Sequence, residues 1–157
     1  MIQPEKISLL ERTHTLAHEF AASVPEKLVT LKPNAVAFSV NEVVHHLVDV
    51  EKLWHVRFAQ MMERDGIKLV AMDPDSLAKT ERYNSRSITE GLSMWKTLRA
   101  KTLEMIRHMD EVVLSRSAEH PRYGAMGVSR ALDIIANHDL QHLEQMKRTV
   151  SEVNTKQ

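Results

Sequence analysis

Apolar residues return every three or four positions along four long stretches of this chain. That spacing matches the turn of an α-helix, so each stretch predicts an amphipathic helix with one buried face. In the last stretch, 129–146, the apolar positions are Leu132, Ile135, Leu140, Leu143 and Met146. In the second they are Val40, Val43, Leu47, Val50, Trp54, Phe58 and Met61. Trp54, Met61 and, in the third stretch, Trp95 are therefore predicted to be core residues rather than the lining of a pocket.

Capping residues indicate where these helices begin. Ser39 and Ser87 are each followed three residues later by a glutamate, the pattern of a capping box. Residues 25–31 are predicted to form a short helical turn, 77–83 a short helix, and 120–127 a loop. The four long predicted helices are Pro4 to about Ser23, Ser39 to about Arg64, Ser87 to about Val112, and Ser129 into a polar tail at 151–157.

The pattern predicts an all-α fold class, with residues 1–157 folded as a single four-helix-bundle domain. Hydrophobic residues make up 43% of the chain and charged residues 27%, which is typical of a globular protein. The chain has only four glycines and five prolines, which is few for strands joined by tight turns. No strand is therefore predicted.

The charges balance, since 21 basic and 21 acidic residues give a formal net charge of zero. Proteins that bind nucleic acid or anionic membranes through a broad electrostatic surface carry a basic excess, so neither partner is predicted. The absence of cysteine excludes disulfides and thiolate ligands, so any reacting thiol must come from a ligand. No export signal and no apolar run of about 18 residues is visible, so a cytoplasmic location is expected.

Nine histidines are many for 157 residues, and two of them lie close together in the last predicted helix. His138 and His142 are four residues apart, which places both imidazoles on one helix face, about 6 Å apart along the axis. Two neutral imidazole nitrogens so placed can share one divalent cation. A complete site needs a further ligand from another helix, and the second predicted helix offers His45 and His46.

Helical periodicity favours His46 as the third ligand, because this residue lies at the edge of the buried stripe. His45 falls on the polar face and stays the alternative. Asp49 and Glu42 lie about one turn from His46, where each could either orient the imidazole or be solvated.

The remaining histidines are weaker candidates. His14 and His18 have the same four-residue spacing but polar neighbours, whereas His55 and His108 lie beside charged residues and are predicted to be solvated. Any candidate histidine could instead be a buried residue hydrogen-bonded to a neighbour. The His-Glu-x-x-His protease motif is absent because Asp139 stands where the glutamate is required, and the paired Glu-x-x-His motifs of di-iron bundles are missing as well.

Several segments together resemble one known family. They are Phe38–Glu51 with its His-Leu-Val-Asp, Arg82-Tyr-Asn84, Trp95 to Arg99, and His120 to Gln145 with its Asn-His-Asp-Leu-Gln-His. Over nearly its whole length the chain is similar to the DinB-like superfamily, which includes the bacillithiol transferases and, more distantly, mycothiol-dependent maleylpyruvate isomerase. The resemblance implies a four-helix bundle, often a homodimer, with one divalent ion (nickel or zinc) held by His46, His138 and His142.

For function, the resemblance implies a metal-dependent transferase that adds a low-molecular-weight thiol to an electrophilic small-molecule substrate. A bound cation would lower the pKa of the incoming thiol. Two alternatives stay open: a metal-dependent hydrolase that activates water, and a non-catalytic stress-response or dimerisation module in which the metal only fastens the helices. No motif for a thiol cofactor is recognisable in the sequence.

Overall fold

A computed structural model describes residues 2, 4–73, 76–78 and 81–157. Four long helices account for most of these residues, which confirms the predicted all-α four-helix bundle. No helix in the described part of the chain is both long enough and apolar enough to cross a membrane. The elements in chain order are α1 Pro4–Ser23, α2 Glu26–Val29, α3 Val40–Glu63, a 3₁₀ turn Tyr83–Ser85, α4 Ile88–Arg107, α5 Glu111–Leu114, β1 Ala118–His120, β2 Gly124–Met126 and α6 Val128–Thr155.

Local capping explains where α3 and α4 begin. The Ser39 hydroxyl oxygen accepts a hydrogen bond from the Glu42 amide, and the Glu42 carboxylate accepts one from the Ser39 amide, so the predicted capping box is formed. At α4, the Ser87 hydroxyl oxygen accepts from the Glu90 amide, which is the serine half of the predicted box. Both serines satisfy amides that have no partner inside the helix.

The long helices form a ring in the order α1, α4, α3, α6. Helix α3 packs against α4 and α6, and α1 packs against the same two helices. The first halves of α1 and α6 share a core cluster with the second halves of α3 and α4, so α1 and α6 run opposite to α3 and α4. After α3, Val70 lies back alongside that helix, because its carbonyl oxygen accepts from Arg57 and its amide donates to Gln60. The order matters because it makes α3 and α6 neighbours.

Two predicted boundaries need correction, and a third prediction is not tested. Helix α4 ends at Arg107 rather than near Val112, because Asp110 caps the separate helix α5 by accepting from the Val113 amide. Helix α6 begins at Val128 with Gly127 as its cap, so Ser129 lies inside the helix. The predicted helix over 77–83 includes residues outside the described part of the chain.

The segment predicted as a loop after His120 contains a hairpin instead. Strands β1 and β2 pair antiparallel, with Ala118 opposite Met126 and His120 opposite Gly124. Gly124 has a φ of 68°, a left-handed conformation that glycine adopts without strain and that closes the turn. The prediction of no strand was wrong because three-residue strands are too short for an alternating pattern to be visible.

The buried apolar residues form two clusters, separated by polar side chains. One cluster includes Leu10, Trp54, Phe58, Ile106 and Leu132. The other includes Ala17, Val43, Leu47, Trp95 and Met146. Between them lies a polar layer, which we define as the buried side chains of Thr13, Glu51, Arg99 and Asp139, one from each long helix. Burying charge there is tolerated only if the charged groups are paired.

Candidate metal centre

Three histidines from two neighbouring helices meet beside the polar layer. His46 lies in the second turn of α3, and His138 and His142 lie in the middle of α6. The Nε2 atom of His138 is 3.4 Å from Nε2 of His46 and 3.0 Å from Nε2 of His142. We call these three residues the histidine cluster. Within the described residues, no other group of three or more His, Asp or Glu side chains brings its ligand atoms within 4.8 Å of one another.

Burial keeps the rings of the cluster neutral. Burial, followed by the neighbouring His142, lowers the pKa of His46 to about 3. Burial, followed by the two other cluster histidines and Arg99, lowers the pKa of His138 to about 2. Burial also lowers the pKa of His142, against the opposing effect of its hydrogen bond to Gln145. Since neutral imidazole is the form that binds metals, the cluster offers its lone pairs at neutral pH.

Gln145 determines which nitrogen of His142 carries the proton. The Oε1 atom of Gln145 lies 2.7 Å from Nδ1 of His142, so Nδ1–H donates to the amide oxygen. The Nε2 atom of the same ring then carries a lone pair directed at His138. Holding the remote nitrogen in this way is how proteins orient a histidine that binds a metal.

His46 is held differently. Its Nδ1 atom is buried and has no hydrogen-bond partner among the described residues. Glu42 closes the α3 capping box, and Asp49 accepts a hydrogen bond from the Tyr83 hydroxyl. The possibility that either carboxylate orients His46 through a hydrogen bond is therefore wrong, and the imidazole packs beside the Phe38 ring, 6.2 Å away between centroids.

The donor set fits a divalent cation. Three imidazole nitrogens about 2.1 Å from a tetrahedral metal would lie about 3.4 Å apart, and the separations of 3.4 and 3.0 Å agree to within a few tenths of an ångström. His138 Nε2 can carry only one proton between its two neighbours, so the three nitrogens cannot all be paired with one another. A shared cation would satisfy all three lone pairs.

His45 points away from the cluster. The prediction that it lies on the polar face is wrong, because the residue is buried. Its Nε2 atom lies 3.1 Å from the Ser87 carbonyl oxygen at the start of α4. Gly91 leaves room for this ring, since a Cβ atom there would come 2.9 Å from Cε1 of His45. Helix α3 thus presents adjacent histidines to different neighbours, His45 to α4 and His46 to α6.

The pair His14 and His18 lies in another part of the bundle. Their ring centroids are 5.4 Å apart, and His14 packs edge-on against Trp95. His18 Nε2 is 3.1 Å from the Leu92 carbonyl oxygen. No third ligand joins them in the described part of the chain, so they form no metal-binding group there.

Two of the other histidine predictions change. His55 is half-buried, with Nδ1 3.5 Å from the Thr102 hydroxyl, rather than fully solvated. His120 is buried on β1, where its ring stacks with that of Trp54 at 5.8 Å between centroids. His108 is exposed, as predicted.

The charged network of the polar layer was not predicted from the sequence. Arg99 Nε donates to Glu51 Oε2 at 2.9 Å, and Arg99 Nη1 and Nη2 donate to the Asp139 carboxylate at 2.9 and 3.1 Å. Burial alone would lower the pKa of Arg99, but the two carboxylates outweigh it and raise that pKa. One signal was available: Arg99 is four residues from both Trp95 and Leu103, so it lies in the apolar stripe of α4.

Comparison with known proteins points to one family. The family model described as the DinB superfamily matches residues 9–146. No curated protein matches the sequence.

Solved structures share the fold at low sequence identity. YfiT from Bacillus subtilis, described as a probable metal-dependent hydrolase with an unusual four-helix bundle topology, aligns with 98% of this chain and 91% of its own, at 16% identity and a TM-score of 0.84. A mycothiol-dependent maleylpyruvate isomerase aligns with 90% of this chain and 59% of its own, at 8% identity and a TM-score of 0.75. The DinB-like YjoA from Bacillus subtilis aligns with 96% of this chain and 92% of its own, at 16% identity and a TM-score of 0.63.

Proposed function

The chain belongs to the DinB superfamily, and from that premise we propose that it is a metal-dependent transferase. In this proposal His46, His138 and His142 hold one divalent ion, nickel or zinc. The enzyme would join a low-molecular-weight thiol to an electrophilic small molecule. The observation that carries the proposal is the convergence of three neutral imidazole nitrogens from α3 and α6.

The residues of the cluster have the properties that such a site needs. A divalent cation, when bound, supplies Lewis acidity that lowers the pKa of a thiol or water and so makes a nucleophile near neutral pH. Burial keeps the His46 and His138 rings free of protons that would compete for their lone pairs. Gln145 holds His142 with its Nε2 lone pair facing the other ligands.

Space for a small molecule lies close to the cluster. Phe38, which packs beside His46, also lines a cavity of about 680 Å³, a size typical of small-molecule sites. Apolar side chains, two cations (Lys32 and Arg82) and one anion (Glu42) line the same cavity, and Lys32 Nζ lies 3.5 Å from the Glu42 carboxylate. A small electrophile with a largely apolar body suits this lining.

Two observations favour a thiol as the nucleophile. The chain has no cysteine, so no internal thiolate would compete with an incoming thiol for the metal. The maleylpyruvate isomerase that shares the fold is named as dependent on mycothiol, which is a thiol. The second candidate is a hydrolase, and it is favoured by the description of YfiT as a probable metal-dependent hydrolase.

Two measurements test the proposal. Elemental analysis of the purified protein should find about one nickel or zinc ion per chain, and the His138→Ala variant should retain none. The metal-loaded protein is then incubated with 1-chloro-2,4-dinitrobenzene, with and without L-cysteine and coenzyme A as thiol probes. A transferase forms the thioether, with a new carbon–sulfur bond, release of chloride and loss of the thiol proton to solvent. Dinitrophenol formation without thiol consumption would support the hydrolase instead, and absence of metal would contradict both.

A further inference from the structure

We propose that Arg99 is a positioning residue for the histidine cluster. Its guanidinium binds Glu51 on α3 and Asp139 on α6 at the same time, and thereby sets how the two helices that carry the cluster face each other. The inference rests on the proposed function, because it concerns a metal held by these histidines.

The guanidinium is saturated by its partners. Nε is 2.9 Å and Nη2 is 2.8 Å from Oε2 of Glu51. Nη2 and Nη1 donate in parallel to the two carboxylate oxygens of Asp139, and Nη1 also donates to the Leu10 carbonyl oxygen of α1 at 3.0 Å. Because the guanidinium is planar and its N–H groups are all paired, it allows only one placement of Glu51 relative to Asp139. The flexible ammonium group of a lysine would not impose that placement.

The partners of Arg99 are placed beside the histidines in sequence. Asp139 directly follows His138 and stands three residues before His142, and Glu51 is five residues after His46. Since an α-helix is rigid over a turn or two, fixing Asp139 also fixes the rotation and height of both histidines on α6. Fixing Glu51 does the same for His46 on α3.

Helix α1 completes the arrangement without carrying a cluster residue. Thr13 Oγ1 donates to Asp139 Oδ2 at 2.8 Å, so the carboxylate is held from two sides. The network therefore ties all four long helices together at the height of the cluster. Its four side chains are almost completely buried, so water does not loosen these bonds.

Small rotations would matter at this site. An imidazole nitrogen on a helix lies about 6–7 Å from the helix axis, so a 10° rotation of α6 moves it by about 1 Å. Metal–ligand distances are held to about 0.2 Å, several times less than that displacement. The Arg99 bridge is a buried, charged link between the two ligand-bearing helices, since one guanidinium binds Glu51 on α3 and Asp139 on α6.

A variant that keeps the fold but removes the Arg99 bridge distinguishes an effect on the position of the histidines from an effect on the stability of the protein. The triple variant Glu51→Leu, Arg99→Met, Asp139→Leu replaces the charged groups with apolar side chains of similar size, a change that buried ion networks often tolerate without loss of stability. The single variant Arg99→Lys keeps the charge and loses the planar fork. The control Glu11→Gln, Arg107→Gln removes an exposed ion pair that links α1 to α4 at the surface.

Zinc affinity, measured by chelator competition, and the visible spectrum of the cobalt(II)-loaded protein are the readouts. We expect the triple variant and Arg99→Lys to lose about 10- to 100-fold in zinc affinity and to show altered cobalt bands, with far-UV circular dichroism unchanged. The control should match wild type. Wild-type affinity and cobalt spectrum in Arg99→Lys, or in a folded triple variant, would overturn the positioning role while leaving the proposed function intact. A wild-type protein that binds neither ion would overturn the proposed function first, and the positioning role with it.

Discussion

Metal loading should raise the thermal stability of this protein through His46 and not through His45. The cluster exists only in the folded chain, because His46 is 92 residues from His138 in sequence. At a free zinc concentration 100 times the dissociation constant, binding stabilises the fold by about 2.7 kcal/mol. For a domain of this size that corresponds to a rise of about 5–10 °C in melting temperature.

The adjacent histidines provide a matched pair of variants. His46→Gln leaves only the two ligands on α6, and if the dissociation constant then rises 100-fold, the stabilisation at the same zinc concentration falls to about 0.4 kcal/mol, or about 1 °C. His45→Gln changes an equally buried neighbour that faces Ser87, so the zinc-dependent shift should persist even if the baseline melting temperature drops. Scanning calorimetry with zinc and with EDTA measures each shift. A full shift in His46→Gln, or its loss in His45→Gln, would refute the assignment of the ligands.

Three further predictions concern single side chains. Burial lowers the pKa of His14 to about 3, so the unfolded chain binds one more proton between pH 6.5 and 3, and wild-type stability falls as pH drops through that window. In His14→Leu the slope of urea-unfolding free energy against pH should be shallower by about 1.4 kcal/mol per pH unit, and equal slopes would show that the ring is not held neutral. Gln145→Leu should weaken zinc binding about 10-fold in chelator competition, because the His142 tautomer is no longer fixed; unchanged affinity would rule out that role. Ser39→Ala should cost about 1–2 kcal/mol in chemical denaturation, since the α3 cap is lost, and a cost near zero would contradict the capping argument.

The polar layer explains why the site lies where it does. Each apolar cluster drives folding by burying hydrophobic surface, whereas the polar layer between them buries charge at a cost, and the histidine cluster beside it buries neutral imidazoles. Glu51 Oε1 and His46 Nδ1 even remain without partners among the described residues. Departures of this kind from ordinary core composition are expected at functional sites, where binding or catalysis requires polar groups inside the protein.

Much of the fold follows from local sequence signals. The 3.6-residue spacing of apolar positions predicts the four long helices, and Ser39 with Glu42 predicts the start of α3, because both depend only on residues within a few positions of one another. The same periodicity places His138 and His142 on one face, but it puts His45 on the polar face, whereas the structure buries His45 as deeply as His46. Where local signals were short or ambiguous, as at the hairpin and at the start of α6, the prediction was wrong.

Local periodicity predicts the four amphipathic helices, and it places His138 and His142 on one helix face and His46 at the edge of another. The packing of the helices in three dimensions makes α3 and α6 neighbours, turns His45 to Ser87 on α4, and lets Arg99 join Glu51 to Asp139. Periodicity cannot predict this packing, because it describes one helix at a time. Which helices pack together depends on side chains far apart in the chain, and the cost of burying a charge depends on the partner it finds there.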